Sequence, residues 1–268
     1  MMNEFKYRVI DMHAHIFPDR IASRAVESIG SYYNIPMSGP GTVGGLLVSG
    51  GRIGVSKYVV HSSATNVDQV TTINDYVSGV ISANSEMIGF GTLHPGLADA
   101  SAEVARVIGL GLKGIKLHPE FQGFSIDDTD MLPIYKAIEG RLPVLVHMGD
   151  ENRDSSSPVR LARILDKFPD LVVIAAHFGG YRMWDESGEY LIGRNLYMDT
   201  SSALAFLAPE KAVSMIRKHG VRNMFFGSDY PMWDHEEELE RFLRLDLSEE
   251  ERKAILFGNA KRFLDSLG

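Results

Sequence analysis

The sequence predicts a (β/α)8 barrel, distorted in its least regular stretch and extended by C-terminal helices, as one domain spanning residues 1–268. Three observations carry this. Short β-rich runs alternate with longer amphipathic ones from end to end. Several of the short runs are apolar throughout, as strands covered on both faces are. Histidines gather where those runs end, and in barrels of this kind the active site lies at the C-terminal rim of the strands.

The strand candidates are Tyr7–Met12, Lys57–His61, Met87–Leu93, Gly114–His118, Pro143–His147, Leu171–His177, Asn195–Asp199 and Asn223–Asp229. Helical patterns cover Val67–Ser85, Asp99–Leu110, Thr129–Glu139, Ser157–Phe168, Pro209–His219 and Glu236–Leu245. Pro158 and Pro209 stand near helix starts, where a missing N–H costs nothing. Gly111, Gly140 and Gly220 follow helices, where glycine commonly terminates them. The Gly- and Pro-rich stretch Arg20–Gly54 reads as two short helices joined by a loop. Ser248–Leu267 reads as two terminal helices, with Ser248 and Glu251 matching a capping box.

Composition narrows the function. With 35 acidic against 27 basic residues the formal charge is −8, which argues against a nucleic-acid partner, because phosphate binding needs a basic face. There is no cysteine, so any metal must be held by imidazole and carboxylate. No apolar run approaches the ~20 residues that span a bilayer, and the first residues lack the basic start and apolar core of a signal peptide. A cytoplasmic enzyme acting on a small molecule is the expectation, with neither nucleic acid nor membrane as partner.

Seven of the nine histidines fall at proposed strand ends: His13, His15, His61, His94, His118, His147 and His177. His13 and His15 are two apart, so in a strand both imidazoles leave on one side, as two ligands of one ion must. His147, His177 and Asp229 each close an apolar run and are their plausible partners. Tyr230-Pro231 follows Asp229, which is not the context of an ordinary helix N-cap. His61, His94 and His118 are read as supporting or substrate-facing residues, and His219 and His235 as surface or helix-end residues. Lys116 pairs with a nearby acid such as Glu120. Gly39-Pro40-Gly41-Thr42-Val43-Gly44 fits G-x-G-x-x-G by spacing, but no strand precedes it, so it reads as a flexible loop.

These residues resemble the amidohydrolase superfamily, and within it the branch of the aminocarboxymuconate-semialdehyde decarboxylase-like enzymes. The resemblance rests on Ile10-Asp11-Met12-His13-Ala14-His15-Ile16-Phe17-Pro18, Gly114-Ile115-Lys116-Leu117-His118-Pro119, Pro143-Val144-Leu145-Val146-His147, Ala176-His177-Phe178-Gly179-Gly180, Phe226-Gly227-Ser228-Asp229-Tyr230-Pro231 and Gly258-Asn259-Ala260-Lys261-Arg262-Phe263-Leu264. It implies a distorted TIM barrel holding one divalent ion, zinc first and manganese as the alternative. It further implies His13, His15, His147 and Asp229 as ligands and His177 as the catalytic histidine. Relatives suggest a homodimer.

Two activities follow from that resemblance. The first is hydrolysis of an amide, ester or lactone by a metal-activated water, with Asp229 taking the water's proton and His177 steadying the attacking water or the oxyanion. The second is non-oxidative decarboxylation of a small carboxylated ring or enol, with Asp229 or His177 protonating the carbon that loses CO2. Arg153 and Arg182 are candidate anchors for the substrate carboxylate of that second reaction. A non-catalytic binding protein would be expected to lack one of the donors, and all are present.

Overall fold

The computed structural model describes residues 6–268. Its strands are β1 (Val9–His15), β2 (Val55–His61), β3 (Met87–Thr92), β4 (Gly114–Leu117), β5 (Val144–Val146), β6 (Val173–Ala175), β7 (Tyr197–Asp199) and β8 (Met224–Phe225). The helices are α1 (Asp19–Tyr33), α2 (Val43–Gly51), α3 (Val70–Ala83), α4 (Ala100–Gly109), α5 (Pro119–Gln122), α6 (Leu132–Ile138), α7 (Pro158–Lys167), α8 (Trp184–Tyr190), α9 (Pro209–His219), α10 (His235–Leu243), α11 (Glu249–Lys253) and α12 (Asn259–Asp265). The eight strands form one sheet in the order β1 to β8. Beyond β8 the chain bridges in parallel to β1 through Ala14 and Tyr230. This is the (β/α)8 barrel that the sequence predicts.

Two parts of the chain are compact in themselves: His61–Asp199, and the segment up to Val60 together with Thr200–Gly268. In the first, parallel pairing runs from β3 to β7, with Ile115 opposite Val144 and Val144 opposite Val173. Every residue of β4, β5 and β6 is buried, which is why β5 and β6 are apolar runs rather than alternating ones, and β4 departs from that pattern only at Lys116. Asn74 of α3 is wholly buried, yet its amide is satisfied. Its Oδ1 accepts from Thr92 N at 2.7 Å and its Nδ2 donates to Thr92 O at 3.0 Å, tying α3 to the end of β3.

In the second part, Asn259 plays the corresponding role. Its Nδ2 donates to Val221 O at 2.7 Å and Met224 O at 2.8 Å, so the Gly258-Asn259-Ala260 segment fastens the start of β8. The capping box at Ser248 and Glu251 is present. Among the described residues no helix is long and apolar enough to cross a membrane.

The structure departs from the sequence reading in five places. β1 continues through His15, because Met12 N and His15 N donate to Phe226 O and Tyr230 O. β8 is only Met224–Phe225, so Asp229 stands beyond the strand in a left-handed conformation with φ 58°. α8 was not anticipated, being short and polar. The glycine loop is not a flexible segment but a socket: a Cβ on Gly39 would lie 2.4 Å from the Tyr230 ring, and one on Gly45 would lie 2.4 Å from its hydroxyl. His219 and His235 do stand at helix ends, but both are buried rather than on the surface.

Candidate metal centre

The period-2 geometry of β1 sends Asp11, His13 and His15 to one side of the strand. Asp229 Oδ1 stands 3.3 Å from His13 Nε2 and 3.2 Å from His15 Nε2. These are long for an imidazolium–carboxylate hydrogen bond, which closes to about 2.7–2.9 Å. They match donors around one tetrahedral cation, where bonds of about 2.0–2.1 Å leave donors about 3.3 Å apart. One oxygen equidistant from two imidazole nitrogens is the arrangement expected of a shared ion. The residues therefore fit a divalent cation.

Each of these donors is held from behind. His13 Nδ1 meets Ser201 Oγ at 3.1 Å, which leaves Nε2 as the ligand atom. Asp229 Oδ2 accepts from Ser202 Oγ at 2.5 Å, and Ser202 Oγ in turn accepts from Trp233 Nε1 at 2.9 Å. Asp229 N donates to His13 O at 2.8 Å, so the two ligand-bearing backbones are joined directly.

Asp11 completes this frame. Its side chain is fully buried, and its Oδ1 accepts from His13 N at 3.0 Å and Ser228 N at 2.9 Å. Its Oδ2 accepts from Ser228 Oγ at 2.6 Å and lies 2.9 Å from His235 Nε2. The far nitrogen of His235 lies 2.8 Å from Ser49 Oγ. A buried carboxylate is tolerated where its lone pairs are all engaged, and here the donors sit beside both candidate ligands.

A second cluster occupies the ends of β4, β5 and β6. His147 Nε2 lies 3.0 Å from Gly149 O, and because a carbonyl only accepts, that nitrogen carries the hydrogen. Nδ1 of His147 is then a lone pair, facing His177 Nε2 at 3.0 Å. It can accept a hydrogen bond from His177 or act as a ligand, but not both at once. His177 and Phe178 have φ of 59° and 56°, a left-handed pair that turns the imidazole away from the run of β6. The backbone of His177 is pinned at both ends, its N donating to Asp199 Oδ1 at 2.9 Å and its O accepting from Trp184 Nε1 at 3.1 Å.

His118, Glu120 and His147 are all buried and close enough to suggest a second cation. The rings of His118 and His147 exclude one shared between them. They stack with centroids 3.9 Å apart and planes 8° from parallel, so their in-plane lone pairs cannot converge on one ion. The two imidazoles belong to a packed stack instead, in which His118 also stacks on Phe121 at 4.0 Å, with Glu120 beside it. Glu120 accepts from Ser156 Oγ, and burial pushes its carboxyl up to about 7 against the opposing effect of that hydroxyl. Lys116 is fully buried in β4. Arg182 pairs with Glu151 at 3.3 Å and lies over the Tyr181 ring.

The structure thus brings His13, His15 and Asp229 together, and His147 together with His177. Ser201, Ser202, Trp233, Asp11 in its supporting role and His235 were not found by reading the sequence. Only Asp11 gave a signal, its place two residues before His13 on the same face.

A (β/α)8 barrel with imidazole and carboxylate donors spaced for one cation defines a metallo-enzyme class. The chain belongs to the amidohydrolase family, whose model (Amidohydro_2) matches residues 10–265. Among curated proteins it is similar to the 2-amino-3-carboxymuconate-6-semialdehyde decarboxylase of Dictyostelium discoideum, 24% identical over 250 residues, covering 74% of this chain and 67% of that protein. Among solved structures it is similar to an uncharacterised TIM-barrel protein from Bordetella bronchiseptica (TM-score 0.76, 20% identity, 97% of this chain and 99% of that one). It is also similar to the 5-carboxyvanillate decarboxylase of Novosphingobium aromaticivorans with bound manganese (TM-score 0.72, 16% identity, 97% of each chain). A protein of Pseudomonas putida assigned as 2-pyrone-4,6-dicarboxylic acid hydrolase shares the fold at a TM-score of 0.67 and 20% identity, over 96% of this chain and 97% of that one.

Proposed function

We propose that this chain is a metal-dependent decarboxylase that removes CO2, without oxidation, from a small carboxylated ring or enol. The observation that carries this reading is the sequence similarity to a semialdehyde decarboxylase across 74% of the chain. It shifts the weight from hydrolysis, the first activity implied by the sequence, to the second.

In this reading His13, His15 and Asp229 hold one divalent cation, zinc or manganese, and His147 Nδ1 is the fourth donor. When bound, the cation supplies positive charge that orients the substrate and stabilises the negative charge left on carbon as CO2 departs. His177 holds the proton to be delivered. With His147 Nδ1 engaged as a ligand, the hydrogen on His177 Nε2 would be directed at the substrate. As the C–C bond to the carboxylate breaks, its electron pair stays on the substrate carbon, and His177 Nε2 protonates that carbon. The bond pinning His177 to Asp199 fixes where that proton is presented. Arg182, released from Glu151, anchors a substrate carboxylate.

Hydrolysis of a lactone is the second reading, favoured by the fold shared with the Pseudomonas putida protein. There Asp229 accepts the proton of the attacking water. Incubating the Mn2+- or Zn2+-loaded protein with a panel of carboxylated phenols, enols and lactones separates the two. Released CO2 with one proton incorporated at carbon is the expected result. Acid release from lactones without CO2 would overturn the decarboxylase reading in favour of hydrolysis.

A further inference from the structure

We propose that Ser202 and Trp233 are positioning residues that make Asp229 a single-oxygen ligand, presenting Oδ1 to the cation and withholding Oδ2. The inference rests on the metal-binding reading above and says how the carboxylate is oriented within it.

An indole N–H can only donate, so Trp233 Nε1, 2.9 Å from Ser202 Oγ, fills one lone pair of that hydroxyl. The hydroxyl has one hydrogen of its own. Its two remaining neighbours are Asp229 Oδ2 at 2.5 Å and Met232 Sδ at 3.4 Å, and a thioether is a weak acceptor beside a carboxylate. The Ser202 hydrogen is therefore directed at Asp229. Trp233 reinforces that direction, because its N–H occupies a lone pair of the hydroxyl and strengthens the bond the hydroxyl donates.

The rest of the local structure keeps this chain of donors in place. Ser202 is buried and sits at φ 53°, a left-handed conformation that costs a non-glycine residue free energy and recurs at functional sites. Glycine would suit that backbone better, and what serine adds is the hydroxyl. Trp233 is fixed on both sides, by Phe206 edge-on at 6.0 Å and by the Arg241 guanidinium 4.4 Å over its ring. With Oδ2 claimed by Ser202, Oδ1 is the oxygen that stands 3.3 Å from His13 Nε2 and 3.2 Å from His15 Nε2. A carboxylate without this restraint can rotate and chelate through both oxygens.

The experiment uses the full chain, stripped of metal by dialysis against a chelator, as wild type, Ser202→Gly and Trp233→Phe. Ser202→Gly removes the hydroxyl while relieving the backbone, so the strain relieved offsets the hydrogen bonds lost to Trp233 and Asp229, and the metal-free variant is expected to melt within a few degrees of the wild type. Its Mn2+ affinity, read by calorimetric titration, is expected to fall about 10–100-fold, the usual cost of losing a partner behind a ligand. In the Co2+-loaded variant the visible absorption is expected to weaken, as Asp229 turns to bind through both oxygens and the coordination number rises. Trp233→Phe keeps an aromatic ring beside Phe206 and Arg241 but deletes the N–H together with the pyrrole half of the indole; with its metal-free melting temperature measured alongside, it is expected to lower Mn2+ affinity by a smaller factor in the same direction. A merely structural role would move melting and affinity together, whereas the proposal requires them to part. Wild-type Mn2+ affinity in Ser202→Gly, with an unchanged Co2+ spectrum, overturns the proposal and leaves the metal reading standing. A wild-type protein that takes up neither ion overturns both. Should Ser202→Gly fail to fold, an unchanged Mn2+ affinity in Trp233→Phe overturns it instead.

Discussion

The cluster at β1 and β8 and the cluster at β5 and β6 hold their histidines by different means. At β1, His13 is backed by a serine hydroxyl, and a buried carboxylate, Asp11, grips the backbones of both His13 and Ser228. At β5 and β6, His147 is backed by a backbone carbonyl, and His177 is turned by two left-handed residues and pinned through its own peptide groups. The first arrangement fixes side chains that must stay put as ligands. The second fixes the backbone and leaves a ring nitrogen with two alternative uses, which suits a group that holds and passes a proton.

That contrast can be broken most severely by removing the ion. Dialysis against a chelator is expected to abolish turnover, with recovery on adding Mn2+ or Zn2+, as measured by metal analysis alongside activity. Persistent full turnover in metal-free protein would contradict the ligand role of the β1 cluster. Next in size, His177→Asn is expected to lower turnover by about 10²–10⁴-fold, as expected for a lost acid–base group, while metal content is retained. Loss of the metal instead would make His177 a ligand and erase the distinction between the clusters.

Asp11→Ala sharpens the comparison through stability rather than rate. It leaves His13 N, Ser228 N and His235 without their buried acceptor, and is expected to cost roughly 3–5 kcal/mol in denaturant unfolding. A loss under 1 kcal/mol would show that the frame is not held by this carboxylate.

The smallest expected effect belongs to Glu120, beside the second cluster. Burial raises its carboxyl from an ordinary 4.5 to about 7, so between those values the folded protein keeps a proton that the unfolded chain has released. Stability is therefore expected to decline as pH rises from about 4.5, by up to about 3 kcal/mol once pH passes 7. Glu120→Gln removes this contribution to the decline, and parallel unfolding curves at pH 5 and 8 for the two proteins read it directly. Equal slopes in both would refute the assignment.

Much of this was legible in the sequence. All eight strands lie within or overlap their predicted runs, and β5 and β6 were the plainest, because strands buried on both faces are apolar and short. The same-side placement of His13 and His15 followed from the period of a strand. His235 was read as a surface or helix-end residue and does begin α10; its burial was not legible because Glu236-Glu237-Glu238 beside it looks like a solvated helix face, yet both His235 and Glu238 are buried. Ser202 and Trp233 could not be found, since their value lies in bonds to each other and to Asp229 across 31 and 27 residues, with no periodicity to mark them. The Gly39–Gly44 loop was misread for a related reason. Gly39 within it and Gly45 just beyond it answer to the side chain of Tyr230, a residue far away in the chain.

The chain has two tryptophans, and each places its indole N–H on one of the two clusters, Trp184 on the carbonyl of His177 and Trp233 on the hydroxyl of Ser202. Indole emission responds to the polarity and hydrogen bonding around the ring. The protein therefore carries its own pair of optical gauges, one per cluster, and exchanging either for phenylalanine leaves a single-colour readout of the other during loading or turnover.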